Sequence, residues 1–369
     1  MKVAIDARLV TYQRGGIGQY ILHLIEEFSR LAERQMGDEL IVLRSRKERT
    51  WLASGLCDVP LWTPPHNRFE QIALPVELAR LRFDLLHSPD FIPPWRGNFC
   101  RLITVHDLTF LYYPQFLTAQ SRRYYNDQIE RAVRVADHIS ADSTNTKDDL
   151  VRLLNVSPEK VTVVLLAPDP IYRLMSEAAC APVLARLGLD RGFLLFAGTL
   201  EPRKNVTGLL AAYRTLCDRR ASAPQLVLAG RRGWLYDEIF QQMARLKLTD
   251  RVRFVENLSN EDLAALYNSA ALFVLPSFYE GFGLTVLEAM ACGAPVVCSD
   301  CGSLPEVVGS AARLIAPDNL EGLADAMAQI LEDNALHAQM RERGLANVQR
   351  FSWEKTAQET LNIYRQLTG

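Results

Sequence analysis

Short apolar, β-branched runs alternate with longer segments of helical period along the whole chain. In the first half the runs are Lys2–Ala7, Glu39–Leu43, Asp84–His87, Leu102–Val105, His138–Ala141 and Val161–Leu166. In the second half they are Phe193–Ala197, Gln225–Ala229, Val252–Val255, Leu272–Leu275, Pro295–Cys298 and Ala312–Ile315. Between them lie amphipathic segments such as Ile17–Arg34, Thr118–Ala136, Val206–Cys217, Asn260–Ala270 and Leu320–Leu331. Near-continuous apolar strands separated by helices predict parallel sheets covered on both faces, an α/β fold. The pattern runs through six strands, pauses over Ala167–Asp190 with Pro168, Pro170 and Pro182, and runs through six more. The pause predicts a first domain over 1–172 and a second over 188–351. Two doubly wound, Rossmann-like domains are expected, facing each other across a cleft. Open α/β sheets bind ligands at the C-terminal ends of their strands. Ser352–Gln366 reads as a last helix with Ser352 as N-cap, and Lys355 stands where a capping box would place Glu. The pattern alone does not assign it to either domain.

Composition narrows the partners. Of the 369 residues, 49% are hydrophobic and 23% charged, with a net charge of −2 and balanced charge in both halves. No basic module suggests nucleic acid. No apolar run reaches the ~18 residues that span a bilayer, and Asp6 and Arg8 interrupt what would be the apolar core of a signal peptide. A cytoplasmic protein is the expectation. Seven cysteines, an odd number, do not suggest a disulfide framework.

The candidate chemistry gathers at predicted strand ends. RGGIGQY, Arg14–Tyr20, follows the first strand and opens a helix. Gly16 and Gly18 supply two glycines of a dinucleotide fingerprint, but Leu22 holds the third position. A tight turn is the competing reading. FAGTLEPRKN, Phe196–Asn205, sets Arg203 and Lys204 in the loop after a strand, and a guanidinium and an ammonium suit phosphate oxygens. A solvated loop is the alternative, weakened by the position at a strand's C-terminal end. His106 ends the strand ITVHD; a lone His there is more often structural. The other five histidines lack metal-ligand spacing, and the single C-x-x-C pair, Cys298 and Cys301, has no second pair to build a zinc site. No Asp-x-Asp occurs to hold a metal against a diphosphate.

The most informative stretch is SFYEGFGLTVLEAMACG, Ser277–Gly293. Were the span helical throughout, the step from Glu280 to Glu288 would turn roughly 800°, leaving the carboxylates about 80° apart. With the helix starting near Phe282 or Gly283 and ending at Gly293, Glu280 lies in the preceding loop. Glu288 lies in the second turn and leans back toward the helix start. Two carboxylates accept hydroxyl hydrogen bonds, and the helix N-terminus between them suits phosphate. Hydroxyls on both sides of a diphosphate describe a nucleotide sugar. The competing reading is a surface pair, but the neighbours of Glu288 are nearly all apolar, and a buried unpaired carboxylate is costly.

EGFGLTVLE, Glu280–Glu288, resembles the E-x7-E motif of retaining glycosyltransferases of the GT-B fold, family 4. The resemblance extends through GGIG at Gly15–Gly18, HSPDFIPP at His87–Pro94, TVHDLTF at Thr104–Phe110, GTLEPRKN at Gly198–Asn205 and GAPVVCSDCGSLPEVVG at Gly293–Gly309. HSP, VHDL and the pair Tyr113–Pro114 are similar to bacterial mannosyltransferases of O-antigen and polysaccharide synthesis. The resemblance implies that Arg203 and Lys204 hold the donor diphosphate and Glu288 the ribose. It implies that Glu280 contacts the transferred sugar, aided by backbone N–H groups of Phe282, Gly283 and Leu284. His106 would lie beside that sugar. The implied catalytic set is His106, Arg203, Lys204 and Glu280. The implied donor-binding set is Gly15, Gly16, Arg203, Lys204, Glu280, Gly281, Phe282, Gly283, Leu284 and Glu288. The family is usually metal-independent, so no cofactor is expected beyond the donor itself, most readily GDP-mannose. Its C-terminal helix commonly crosses back, assigning residues 352–369 to the first domain. Glu256 in FVENLS replaces the Gly that relatives often carry near the base, which leaves a UDP- or dTDP-sugar open.

Two other classes compete: a GT-B-fold sugar-nucleotide epimerase, and a non-catalytic nucleotide-sugar or NAD binder. The expected acceptor is a glycan or a lipid-linked glycan. Thr118–Ala136, with Arg122, Arg123, Arg131, Arg134, Tyr124 and Tyr125, is the candidate for peripheral contact with a lipid-linked acceptor or an anionic membrane. Asp127, Glu130 and Asp137 dilute its charge and favour a solvated helix.

Overall fold

The computed structural model describes residues 1–12, 15–33, 39–48, 55–67, 69–116 and 119–369, with the side chains of 32–33, 116 and 119–124 also left aside. Arg14, Arg34 and Thr118, and the side chains of Arg122, Arg123 and Tyr124, therefore lie outside the described residues. Two compact units form: Met1–Leu166 together with Ser352–Gly369, and Ala167–Phe351.

The first unit is built on a parallel sheet of β1 (Lys2–Asp6), β2 (Glu39–Ser45), β3 (Cys57–Leu61), β4 (Leu85–Ser88), β5 (Cys100–Val105), β6 (His138–Ala141) and β7 (Val161–Val163). Among the described residues the order is β3-β2-β1-β4-β5-β6-β7. In register, Ala4 lies beside Ile41 and Leu86, and Ile5 beside Val42 and His87. Val3, Ala4 and Ile5 are all fully buried, so both faces of the strand are covered, as its unbroken apolar run requires. One core gathers Ile41, Leu43, Leu61, Leu74, Leu78 and Leu86, and another gathers Ile103, Val105, Ile129, Ile139 and Leu150.

The pattern of six runs missed β3. Its sequence, CDVPL, carries an Asp and a Pro where a central strand would carry neither. It is an edge strand, where a proline's missing N–H costs no ladder bond, and Asp58 is ion-paired to Arg44 at 2.5 Å.

The C-terminal helix, Trp353–Thr368, belongs to the first unit. Ser352 caps it by accepting the Lys355 N–H. Its buried face, Trp353, Thr356, Ala357, Thr360, Leu361 and Tyr364, repeats at helical spacing and packs on the helix Gly16–Glu33 and on β4. His23 stacks on Trp353 with ring centroids 4.6 Å apart, and Tyr364 OH bonds His87 Nδ1 at 2.7 Å.

The second unit holds β8 (Leu194–Ala197), β9 (Leu226–Ala229), β10 (Val252–Val255), β11 (Leu272–Leu275), β12 (Val296–Ser299) and β13 (Arg313–Ile315), in the parallel order β10-β9-β8-β11-β12-β13. Four of these strands are buried at every residue. The pause at Ala167–Asp190 is not all linker. It contains a helix, Glu177–Leu187, capped by Ser176 and closed by Gly188 in the left-handed region at φ +65. Only Cys180 and Leu184 bury, two anchors among alanines, too few to give a readable period. Packed on the helix Asn260–Ser269, this segment is part of the second unit, whose chain begins at Ala167 rather than at 188.

In each sheet the strand order reverses once, between β1 and β4 and between β8 and β11. The crevice outside the C-terminal ends of such a strand pair is where this architecture binds ligands. Among the described residues, no helix is long and apolar enough to cross a membrane.

Candidate functional site

The reversal between β8 and β11 puts two loops side by side. Gly198–Asn205 leaves β8, and Pro276–Gly283 leaves β11. The first closes in a short 3-10 turn, Pro202–Lys204, and Asn205 then takes a left-handed φ of +53 to start the next helix. The Asn205 amide donates to the carbonyls of Pro276 and Pro317, at 3.1 and 2.8 Å, and the Phe278 N–H donates to the Arg203 carbonyl at 2.9 Å. The two loops are thus braced by the Asn205 side-chain amide and by one backbone hydrogen bond.

Across this brace, three of the predicted residues converge. Lys204 Nζ and Ser277 Oγ each donate to Glu280 Oε1 at 2.6 Å, and Arg203 Nη1 donates to Glu280 Oε2 at 2.9 Å. Arg203 also reaches Glu201 Oε1 through Nε at 2.9 Å and the Tyr279 carbonyl through Nη1 at 3.0 Å. Glu280, Glu201 and Lys204 are all buried. Burial works against ionisation of Glu280, but the Lys204 ammonium and the Arg203 guanidinium outweigh it and bring its carboxyl down to about 2. It is a fixed anion, held between two cations.

Glu288 has another environment. The helix runs over Leu284–Ala291, with Gly283 as N-cap at φ +95 and Gly293 past its end at φ +77. Half-buried in the second turn, Glu288 accepts the Tyr267 hydroxyl at 3.0 Å. Burial raises its carboxyl to about 7, with Asp169 adding to the rise and the tyrosine opposing it. The structure therefore joins Arg203, Lys204 and Glu280 in one cluster and keeps Glu288 apart, on its own tyrosine. No side chain caps the start of this helix and its first turn carries no acid, so the Phe282–Leu284 backbone presents the positive end of the helix dipole. A Cβ on Gly283 would sit 2.6 Å from Leu304, besides needing the left-handed conformation.

Several contributors were not singled out from sequence. Gly302, at φ +61, lies so close under Glu280 that a Cβ there would be 2.7 Å from the Glu280 carbonyl oxygen. Ser303 donates both its N–H and its hydroxyl to that same oxygen, at 3.1 and 3.0 Å. Cys301 Sγ lies 3.3 and 3.1 Å from the carbonyls of Ser277 and Phe278, so this thiol of the C-x-x-C pair donates to the loop. Both thiols are free, and burial raises both, Cys301 to about 11. The pair is structural. The one available signal was the quoted GAPVVCSDCGSLPEVVG stretch itself; nothing in its spacing tells that it supports a loop more than twenty residues earlier.

On the first unit, Gly15 and Gly16 open the helix Gly16–Glu33, and a Cβ at either would meet nothing within 4 Å. His106 follows β5. Its Nδ1 bonds Asp142 Oδ2 at 2.6 Å and its Nε2 bonds the Pro89 carbonyl at 3.0 Å, while Tyr20 meets the ring edge-on at 5.1 Å. Two acceptors fix both ring nitrogens as donors. Burial opposes the charge, but Asp142 outweighs it and the imidazolium persists to about 9. Nearby His87, buried between Tyr364 and Thr104, is pushed down to about 3 by burial and by the His106 charge. His106 is a cation rather than a base.

At the end of β10, Glu256 pairs with Arg232 at 3.3 Å, and Arg232 in turn lies over the Phe254 ring.

Comparison with known proteins fits this geometry. A profile of "Glycosyl transferases group 1" matches residues 185–347, and one of "Glycosyltransferase Family 4" matches residues 14–169. The Escherichia coli "O-antigen chain mannosyltransferase B" is 32% identical over 382 aligned positions that cover all of both chains. Sucrose-phosphate synthase from Thermosynechococcus elongatus superposes with a TM-score of 0.78 at 25% identity, over 100% of this chain and 99% of that one. Anabaena HepE in complex with UDP and glucose superposes with a TM-score of 0.78 at 19% identity, over 99% of each chain. The two parallel-sheet units with their reversed strand orders are those of the GT-B fold, and the chain belongs to glycosyltransferase family 4.

Proposed function

We propose that the chain transfers mannose from GDP-mannose to a hydroxyl of a glycan or lipid-linked glycan, with retention of anomeric configuration and without a metal ion. The observation that carries the donor chemistry is the cluster of Arg203, Lys204 and Glu280 beside an uncapped helix start. Two cations and a helix N-terminus suit a diphosphate whose negative charge grows as the sugar departs, and preorganised charge of this kind is commonly the largest catalytic term. Glu280, ionised at neutral pH, suits sugar hydroxyls as an acceptor, and Glu288, in the second turn of the helix that follows, suits the ribose. No general base stands out among these groups. Glu280 is held by two cations, and both His106 nitrogens donate. The departing phosphate oxygen then takes the acceptor proton on the face it leaves, which keeps the configuration.

Mannose is assigned from the name of the full-length relative. Guanine is supported by Glu256 at the end of β10, near where family resemblance puts the base. A carboxylate accepts two hydrogen bonds side by side, and guanine offers adjacent N1–H and N2–H2 donors where uracil has a single N–H between carbonyls.

The test is a panel of GDP-, UDP- and dTDP-sugars, scored by calorimetry and slow donor hydrolysis, with the product anomer read by NMR. GDP-mannose is expected to bind best and to give the retained anomer. Lys204→Ala and Glu280→Ala are expected to abolish transfer in proteins that remain folded. Preference for a UDP-sugar, or an inverted product, overturns the assignment, and full activity in both variants removes the proposed cluster from catalysis.

A further inference from the structure

Glu280 and Glu288 are held in opposite ways. Lys204, Ser277 and Arg203 all donate to Glu280, and the two cations offset its charge. Glu288 is held by a neutral group, the Tyr267 hydroxyl, which donates to Oε2 at 3.0 Å. A carboxylate has about four lone-pair sites. One donor on one oxygen restrains the group without neutralising it, and leaves acceptor capacity for a ligand.

The hydroxyl is itself fixed in place. Tyr267 lies near the end of the helix Asn260–Ser269 and is fully buried. Its ring stands edge-to-face between Tyr172, with centroids 5.8 Å apart, and Phe273 of β11, at 5.3 Å. Edge-to-face pairs are a preferred packing of aromatic rings, and a buried tyrosine hydroxyl needs a polar partner. Phenylalanine would fill the same space, so packing alone does not call for the hydroxyl. Burial holds the phenol proton well above its ordinary range, so the group is a donor near neutral pH.

We propose that Tyr267 is a positioning residue of the donor site, whose hydroxyl holds Glu288 oriented and ionised to receive both ribose hydroxyls. The proposal rests on the reading of Glu288 as the ribose carboxylate. A vicinal diol offers two donors, which a carboxylate accepts; a protonated carboxyl carries a donor of its own on one oxygen. Recognition therefore follows the charge of Glu288. Burial raises that carboxyl to about 7; the Tyr267 bond opposes the rise, Asp169 adds to it and Lys204 opposes it. Tyr172 and Cys292, which adjoin the group, are themselves raised by burial, the thiol to about 12, and are uncharged near neutrality. On the helix of Tyr267, Glu261 and Asp262 lie in the first turn. The helix Asn334–Val348, also packed here, turns His337 to the Ala271 carbonyl and Arg341 to the Gly293 carbonyl, each at 2.9 Å, and exposes Glu342 and Arg343. The helix Leu304–Val308 carries Glu306, and β11 and β12 carry only the Cys298 thiol. Removing the Tyr267 hydroxyl thus takes away the leading opponent of burial. Glu288 then titrates higher, and ribose recognition, present above that pH and lost below it, begins later.

The experiment compares the full chain with Tyr267→Phe. Calorimetry uses whichever of GDP and UDP the parent binds better, together with the dideoxyribose form of the same nucleotide, between about pH 6 and about pH 9. The ratio of the two affinities cancels the base, the diphosphate and the titration of the phosphate. The parent is expected to prefer the ribonucleotide by on the order of 100-fold at the high end, with the preference fading below about 7. Tyr267→Phe is expected to bind the dideoxy form as the parent does. It should lose about tenfold of the preference near neutrality, with the midpoint raised by about one pH unit. Carbon NMR of the Glu288 carboxyl without nucleotide should show the same rise. In Glu288→Gln, adding Tyr267→Phe should change the ratio no further. A Tyr267→Phe protein with the parent's preference and midpoint overturns the proposal and leaves Glu288 on the ribose. Equal weakening of both nucleotide forms also overturns it, since the hydroxyl then supports only the fold. A parent that binds the two forms equally, or neither, overturns the ribose reading and this proposal with it.

Discussion

Glu280→Gln is the sharpest probe of the ion cluster. The substitution keeps the side chain's shape and removes its charge. An amide also turns an N–H2 donor toward either Lys204 or Arg203, both donors themselves. The magnitude follows from linkage. A carboxyl lowered from its ordinary 4.5 to about 2 favours the folded, ionised form by about 3 kcal/mol at neutral pH. Breaking a buried pair from one side costs about 3–5 kcal/mol, the same order. Because Glu280 and Lys204 are both buried, solvent screening does not reduce the figure much. At roughly 2–4 °C per kcal/mol for a unit of this size, the melting temperature in the absence of nucleotide should fall by about 6–12 °C. The sign with pH is fixed by the direction of the shift. The stabilisation is fully present above 4.5 and fades as pH falls toward 2, so urea unfolding at pH 7, 5 and 4 should show a parent–variant gap that holds and then begins to narrow. GDP should still bind Glu280→Gln, since Arg203 and Lys204 are freed of their counter-charge, while transfer is lost. A variant as stable as the parent at pH 7 refutes the argument, because the carboxylate would then not be what holds the two cations.

Gly302→Ala places a Cβ 2.7 Å from the Glu280 carbonyl at a left-handed φ, and should cost about 1–3 kcal/mol in urea unfolding and weaken GDP binding. Asp142→Asn should bring the His106 titration, followed by NMR, down from about 9, since burial is then opposed only by the Pro89 carbonyl and the Asp90 charge. The stability that the Asp142–His106 pair provides should be largest below pH 6.5 and vanish as pH rises through 9. Glu256→Gln should weaken GDP by about 10–100-fold while sparing UDP, the range of a lost charge-assisted hydrogen bond; an unchanged GDP/UDP ratio by calorimetry removes Glu256 from base selection.

What the sequence carried was whatever depends on short-range pattern. Four-residue apolar runs such as Leu194–Ala197 and Leu272–Leu275 declared buried parallel strands because no other element buries every residue in so short a span. The glycine before Leu284 and the turn geometry after β11 split Glu280 from Glu288 correctly, the first in the loop and the second in the helix's second turn. Edge strand β3 escaped because Asp58 and Pro60 obey the rules of an edge, which a hydrophobic count does not see. The helix Glu177–Leu187 escaped because two buried anchors give no period. Tertiary structure alone decided the charges. Glu280 and Glu288 are the same residue type eight positions apart. One falls to about 2 and the other rises to about 7, because Lys204 and Arg203 bond one directly across the strand-order reversal, whereas burial prevails at the other, which a tyrosine hydroxyl bonds and the Lys204 charge favours without a hydrogen bond. Electrostatics depends on distance in space, and those partners lie 76 and 21 positions away in the chain.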